Sequence, residues 1–395
     1  MNQRQTRLLD EILSQPTAPF KEQLVRDLAL RQLRRHDIPH FVDPAGNVVI
    51  GAASAMDYRT LLREPHPEPL RILAAHMDHP GFHGARWLDN RRLRISWHGG
   101  SPVKHLGGAR VWLANDQGVI GYGRMRKPEL HKSGFYLECA EVQLDDPVLV
   151  QQIRARDIFG GLAFRAPVWH RGKRLYTKAA DDLVGVFTIL ETAFAAFGRN
   201  RKKSPPFIGL LTRGEEVGFV GAIAHFELGW LAKAKRDLLF VSLEASRTLP
   251  NAIIGKGPIV RLGDRRTVYQ ADYLKVLADV ASRVLPGKHQ QRIMDGGACE
   301  AAAATIWGLP AIGITVPLGN YHNQGFEGGQ DCVAPGGPAP EFVHMDDIKG
   351  LLVLCRALVK PGLNWPDPWQ QQKARLSKNA ARYSKLLKRT DARTS

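Results

Sequence analysis

The period of the apolar positions changes twice along this chain. Residues 5–14 and 21–36 carry them at helical spacing, with Leu24, Val25, Leu28 and Leu33 recurring on one face. A turn, Asp43-Pro44-Ala45-Gly46-Asn47, precedes the short apolar run Val48–Ile50, and the Pro and acid content of 56–69 predicts a loop. Residues 72–75 are then apolar at every position, as in a strand buried on both faces. From about 85 to 173 the texture becomes short alternating runs at 92–97, 109–114, 119–124, 135–142 and 158–164. Gly99-Gly100, Gly107-Gly108, Asn115–Gly118 and Gly160-Gly161 punctuate them, the pattern of a small all-β barrel or sandwich. After Asp182 a helical stripe appears: Leu183, Val186, Phe187, Leu190, Phe194 and Phe197. Strands are expected at 207–212, 238–243 and 312–316. Helices are expected at 220–227, 269–284 and 298–307, the last stopped by Gly308 with Pro310 behind it, and from Met345 to about Leu358.

Helix–strand alternation on both sides of an all-β block predicts an α/β fold. Its core is a mixed, mostly parallel sheet flanked by helices, carrying an inserted small all-β barrel domain. The expected division is 1–85 and 174–362 for the two parts of the main, catalytic domain, 86–173 for the insertion, and 363–395 for a basic C-terminal tail. In 373–395, Lys373, Arg375, Lys378, Arg382, Lys385, Lys388, Arg389 and Arg393 face the single acid Asp391. Leu376, Ala380, Tyr383 and Leu387 line one helical face, so the tail is expected to be helical against a partner and disordered alone.

A chain of 395 residues, 44% hydrophobic and 24% charged, has the composition of a soluble globular protein with a sizeable core. It contains no apolar run long enough for a membrane span, and its N-terminus reads as a surface helix rather than an export signal. Cys139, Cys299, Cys332 and Cys355 are widely spaced, form no C-x-x-C pair and read as reduced thiols, so a cytoplasmic location is expected. Cys299 is expected to be a buried small residue. The net charge of +17 admits nucleic acid or an acidic substrate. No zinc finger, aromatic RNA-binding signature or helix-turn-helix spacing accompanies it, and the run 199–203 reads as a solvated loop, so no nucleic-acid partner is expected.

Candidate chemistry gathers just past five strand-like runs: Arg71–His76, Thr177–Asp182, Phe207–Glu216, Leu238–Glu244 and Ala311–His322. In open α/β sheets, ligands collect outside the carboxyl ends of the parallel strands. A His, an Asp, a Glu pair, another Glu and a second His delivered there are the parts of a two-metal hydrolytic site. His76 and Asp78 leave the same side of a strand end, so Asp78 can supply an oxygen that fixes the His76 tautomer. Asp181 has two oxygens with which to bridge two cations, and Asp182 would orient the backbone or a ligand. The adjacent acids Glu215 and Glu216 repel each other unless cations are near. Glu216 is assigned to metal and Glu215 to general-base duty. Glu244 ends a very apolar run, where a carboxylate is costly unless paired, with Arg247 as the rival partner. His322 follows an irregular loop. His79 and His83 read as pocket-wall or surface groups.

H-M-D, A-A-D-D-L-V-G, T-R-G-E-E-V-G, the later Glu244 and Y-H-N, in this order, resemble the cocatalytic dimetal aminopeptidases, and among them the tetrahedral, glutamyl-aminopeptidase-like branch. The turn at 43–47, the long β insertion and Gly255-Lys256-Gly257-Pro258 point the same way. The resemblance implies a zinc-exopeptidase-like fold and removal of N-terminal residues from peptides by a water activated between two metals. His76, Asp181 and Glu244 would hold one divalent ion, and Asp181, Glu216 and His322 the other. Glu215 would be the general base and Asp78 would support His76. Zinc is the expected metal, with cobalt or manganese as alternatives. Subunit contacts through the β insertion, and hence a homo-oligomer, are also implied.

Three departures from the family pattern stand out. Glu244 replaces the usual Asp, as in related dimetal carboxypeptidases and deacylases. His79 stands where the tetrahedral enzymes commonly carry Glu. The G-G-T-D-A stretch near the substrate pocket is altered to Gly296-Gly297-Ala298-Cys299-Glu300-Ala301. Two rival readings therefore stay open. One is an amidohydrolase, deacylase or carboxypeptidase acting on a small carboxylated substrate. The other is a catalytically degenerate scaffold that binds nucleic acid or an acidic partner.

Overall fold

A computed structural model describes residues 1–146, 153–198 and 205–391. Helices α1 (Gln3–Ser14) and α2 (Gln23–Arg35) lead through the hairpin β1 (His40–Val42) and β2 (Val48–Ile50) to α3 (Ala55–Arg63) and β3 (Leu70–His76). Six strands then close a barrel: β4 (Gly81–Trp87), β5 (Arg92–His98), β6 (Arg110–Asn115), β7 (Gly118–Leu130), β8 (Leu137–Leu144) and β9 (Phe159–Leu162). The hairpin β10 (Val168–Arg171) and β11 (Arg174–Thr177) returns the chain to α4 (Leu183–Ala196), β12 (Phe207–Thr212), α5 (Val220–Glu227), β13 (Leu238–Arg247) and β14 (Ile259–Asp264). After these come α6 (Ala271–Val284), β15 (Gln290–Met294), α7 (Glu300–Ile306), β16 (Ala311–Leu318), β17 (Glu341–His344), α8 (Met345–Leu358) and α9 (Gln370–Asp391).

The main sheet runs β1-β2-β12-β3-β13-β16-β14-β15. Its centre, β12, β3, β13 and β16, is parallel throughout. β2 and β14 pair antiparallel on either side, so the sheet is mixed and mostly parallel, as expected. β3, β12 and β16 are buried at every residue, which explains their lack of alternation. Helix α4 is buried over nearly its whole length, with α8 packed against it. The barrel has its own core, into which Leu93, Ile95 and Trp97 of β5 point on alternate positions.

Three expectations need correction. Residues 56–69 are not all loop, because α3 occupies Ala55–Arg63. Ser54 Oγ accepts the Asp57 N–H at 3.1 Å, and Tyr58 and Leu62, one turn apart, are buried. The prolines that suggested a loop lie beyond the helix end. Second, the Thr177 run does not join the parallel sheet. It is β11, in a separate three-stranded antiparallel sheet with β10 and β17. At four residues with Arg174 exposed, it is too short and polar for a central strand. Third, 370–391 is helical. Ala, Leu, Lys, Arg and Gln favour helix, and Trp369 anchors the start on α6. Its Nε1 donates to Asp272 Oδ1 at 2.6 Å, and Lys275 Nζ lies 5.9 Å from its ring centre. The basic run 199–203 and the last residues of the tail, 392–395, lie outside the described residues. No described helix is long and apolar enough to cross a membrane.

Candidate metal centre

Parallel strands that end level with one another put their next residues on a common edge. β3 ends on His76, whose partner on β12 is Thr212. Past Thr212 the chain turns at left-handed Gly214 (φ 59°) into a single 3-10 turn, Glu215–Val217. Glu244 lies on β13 level with Thr315 of β16. After β16, Asn320, His322 and Asn323 all take left-handed backbone (φ 55°, 53° and 57°), which aims His322 back at the sheet. Asp181 arrives from the side sheet through Ala179-Ala180. The structure thus brings all of His76, Asp78, Asp181, Glu215, Glu216, Glu244 and His322 to one place.

Asp181 faces two imidazoles with two different oxygens. Oδ1 is 3.6 Å from His76 Nε2, and Oδ2 is 3.9 Å from His322 Nε2. Glu216 Oε2 lies 3.0 Å from His322 Nε2, and Glu215 Oε2 lies 3.9 Å from His76 Nε2. His76, Asp181 and Glu216 offer ligand atoms within 4.8 Å of one another, as do His76, Glu215 and Glu244. The oxygen that takes the His76 Nδ1–H is Asp78's backbone carbonyl, at 3.0 Å, and not its carboxylate, which is 3.8 Å away. The Asp78 carboxylate instead accepts the Glu215 and Glu216 N–H groups at 3.0 and 3.1 Å, because it is buried beneath that turn. Asp182 caps α4 by accepting the Gly185 N–H at 3.1 Å.

Burial dominates the electrostatics. It pushes Glu244 up to about 8, helped by the neighbouring Asp181 charge, and raises Glu215 and Glu216 as well. Burial also works to raise Asp181, but His76 and then His322 hold it below the ordinary carboxylate value. Both imidazoles are in turn raised against the effect of burial, His76 chiefly by Glu215 and His322 by Glu216. This excess of buried acid fits a divalent-cation site. Glu216 Oε1 is buried with no hydrogen-bond partner, and mixed imidazole–carboxylate donors suit zinc-class ions.

Three positioning groups carried no functional signal in the sequence. Glu341 on β17 is fully buried. Its Oε2 accepts the Ala180 and Asp181 N–H groups at 2.7 and 3.2 Å, and its Oε1 accepts the His322 N–H at 2.9 Å. One carboxylate therefore ties both ligand loops together. Glu22 does the same for the other loop, accepting from Arg213 Nε at 2.8 Å and Gly214 N at 3.0 Å. The barrel contributes Gly99-Gly100, which reads in sequence as an ordinary turn. Gly99 packs on Glu216, and a Cβ on Gly100 would overlap His322 Nδ1.

Residues 61–326 match the sequence model of the M42 glutamyl aminopeptidases. The chain belongs to this family. No curated protein matches it. Among solved structures it is similar to PhTET1-12s, described as a dodecamer (19% identity, 92% of this chain and 100% of that one, TM-score 0.70). It is also similar to the aminopeptidase APDkam598 of the archaeon Desulfurococcus kamchatkensis (20% identity, 91% and 95%, TM-score 0.69). A third is the TET1 peptidase of Pyrococcus horikoshii, which assembles into a tetrahedron or a large octahedral shell (19%, 91% and 100%, TM-score 0.68). At these identities the likeness is one of fold, and it extends to the barrel insertion.

The departures of this M42 chain sit around the centre. Glu244 accepts from Ser242 Oγ at 3.3 Å. Arg247 is not its partner; that guanidinium lies 3.9 Å from the ring centre of Phe326. The buried cation acting on Glu244 is Arg261, 2% exposed, whose Nε has no hydrogen-bond partner. His79 is a buried wall residue with Nδ1 2.9 Å from the Asp181 carbonyl, and burial drives it down to about 3. His83 lies away from the centre, against the Pro19 carbonyl at 2.8 Å. Cys299 is fully buried, with its thiol pushed up to about 12, as expected of an inert core residue. Two openings reach the site. A basic cavity of about 30 Å³ is lined by Glu244, Arg247, Arg261, Gly296 and Tyr321. A wider cleft of about 430 Å³ is lined by Glu215 and His322 together with the apolar Phe219, Ile223 and Trp307.

Proposed function

We propose that this M42 chain removes residues one at a time from the free N-terminus of peptides, with Glu215 as general base. The observation that carries the reading is the division of Asp181, one oxygen toward His76 and the other toward His322. His76, Asp181 and Glu244 would hold one divalent ion, zinc first among the candidates, and Asp181, Glu216 and His322 the second. When bound, such a pair supplies Lewis-acid polarisation of the scissile carbonyl and acidifies water.

The chain's own groups do the rest. The Asp78 carbonyl holds the His76 Nδ1–H, leaving Nε2 free as a ligand. The Asp78 carboxylate fixes the turn that separates Glu216 from Glu215. Glu215, buried and raised, takes a proton from the attacking water and delivers it to the leaving amine. Arg247 and Arg261, which line the small cavity beside Glu244, would favour an acidic first residue by their charge. The wider cleft would take the remaining peptide. The assemblies of the solved relatives support extending a homo-oligomer, joined through the barrel, to this chain.

Glu215→Gln should retain two metals per chain by elemental analysis, yet lose about three powers of ten or more in kcat on free amino-acid amides. Acidic amides should be turned over faster than neutral ones by the unmodified protein. Full turnover in the variant removes Glu215 from the mechanism. Cleavage of amine-blocked substrates at the same rate would instead favour the deacylase reading that Glu244 suggests.

A further inference from the structure

Helix α9 carries charge that no ion pair among the described residues answers. Residues 363–395 hold eight Lys and Arg against Asp367 and Asp391, contributing six of the seventeen net positive charges. Arg375, Lys378, Arg382 and Lys385 follow one another at steps of three, four and three residues, and all four are exposed. They form one stripe, which Arg389 continues in the sequence. None of the four has an ion-pair partner among the described residues. Like charges three or four residues apart disfavour a helix, so this stripe opposes the conformation it occupies unless counter-charge lies along it.

The occupant must be a long anion. At 1.5 Å per residue, Arg375 to Arg389 spans about 21 Å, a length over which a nucleic-acid backbone presents many phosphates. Arg382 lies 5.3 Å from the ring centre of Tyr383, so a guanidinium plane and an aromatic face, both surfaces on which bases stack, stand beside the stripe. A lipid surface fits less well. Leu376 and Leu387, each 67% exposed, project from the side of the helix opposite the cations. Bedding them in a bilayer would therefore turn the charges toward water. Pairing with a second copy along that apolar seam would leave the basic stripe unanswered. We propose that α9 is a docking helix for a single-stranded nucleic acid held mainly by its phosphates, against the expectation from motifs alone.

The test uses the full-length protein and a fluorescein-labelled 20-nucleotide oligouridylate, read by anisotropy from 50 to 200 mM salt. With four to five phosphate contacts, the log–log salt slope should be about −3, roughly a 60-fold loss over that range. Chelation should leave it unchanged. The variant R375Q/K378Q/R382Q/K385Q should bind at least 30-fold more weakly at 50 mM with a slope near zero, and should cleave amino-acid amides at the normal rate. Unchanged affinity and slope in that variant would overturn the proposal. So would preferential sedimentation with phosphatidylserine vesicles over RNA, abolished by Leu376→Ser/Leu387→Ser, which assigns the helix to membranes. A drop in sedimentation mass of that same double variant, without RNA, would assign it to a second copy and equally overturn the proposal.

Discussion

Exchanging Glu341 for glutamine isolates the positioning of the metal ligands from the ligands themselves. The side chain lines neither of the two openings to the site, yet it accepts three backbone N–H groups, two at Ala180-Asp181 and one at His322. Glutamine keeps the volume but has one acceptor oxygen. Whichever loop that oxygen serves, the other meets an NH₂ group where it needs an acceptor. Losing a buried hydrogen bond to a charged acceptor costs about 1.5–3 kcal/mol. If half to all of this falls on ligand geometry, metal affinity drops roughly 4- to 160-fold, a span that includes the range of about 10- to 100-fold usual for groups that orient metal ligands. Zinc competition against a chromophoric chelator measures both binding steps, and circular dichroism checks the fold. Both sites should weaken together, because one carboxylate serves the bridging Asp181 and the His322 loop. A variant that binds both metals with normal affinity, or loses only one, would refute the tie between the loops.

Two other outcomes follow from the geometry. Glu244 has its folded-state value raised from the ordinary 4.5 to about 8. Its contribution to stability is therefore complete below about pH 4.5 and lost as pH rises through 8, by up to about 5 kcal/mol. Calorimetry of metal-free protein should show Tm falling from pH 5 to 8, while metal-loaded protein, whose cations replace the protons, should not; a metal-free Tm that is flat or rising would contradict this. Gly100→Ala places a methyl against His322 Nδ1. It should lower turnover at least tenfold with little change in Tm, since the alanine sits in a loop that can shift only by moving the imidazole.

The parts legible in the sequence are those with only one physical solution. Segments apolar at nearly every position had to be doubly buried strands, and 72–75, 207–212, 238–243 and 312–316 each fall within one of the four central strands. Ligands at the ends of those strands inherit their placement from the sheet. What stayed hidden has weaker local signatures. β14 and β15 lie toward the sheet edge, and β15 alternates half-buried with exposed residues and contains Gln290, Gln291 and Arg292, which look like loop. Asp181 was legible as a candidate ligand, but its route to the centre required knowing that a four-residue strand would pair with β17, more than 160 residues later. Glu341 lies 19 residues past His322, across a loop that no periodicity describes. Gly100 is one of 38 glycines, and only the fold reveals that its missing side chain makes room for an imidazole.

The buried acids around Asp181 divide by what answers their charge. Asp78 and Glu341 accept two and three backbone N–H groups, and Asp182 caps α4. Asp182 uses only Oδ1 for its cap, Oδ2 having no partner, whereas Asp78 and Glu341 are satisfied by the fold and shape it. Glu216 and Glu244 are not. Glu216 has one oxygen without a partner, and Glu244 has a serine hydroxyl at 3.3 Å. No backbone dipole is supplied to either, so only protons or cations can complete them. Glu300 belongs with this second group: no donor meets its oxygens in good hydrogen-bond geometry, the Thr212 hydroxyl near it only partly offsets its burial, and burial raises it to about 7. It sits at the start of α7, close enough for His76 and Asp78 to act on its charge. Glu244 and Glu300 are thus two neighbouring long acids on whose charge the same imidazole, His76, acts. A carboxylate left open in the core is destabilising on its own. Its retention beside the centre is explained if cations bind there and the protein is most stable when loaded.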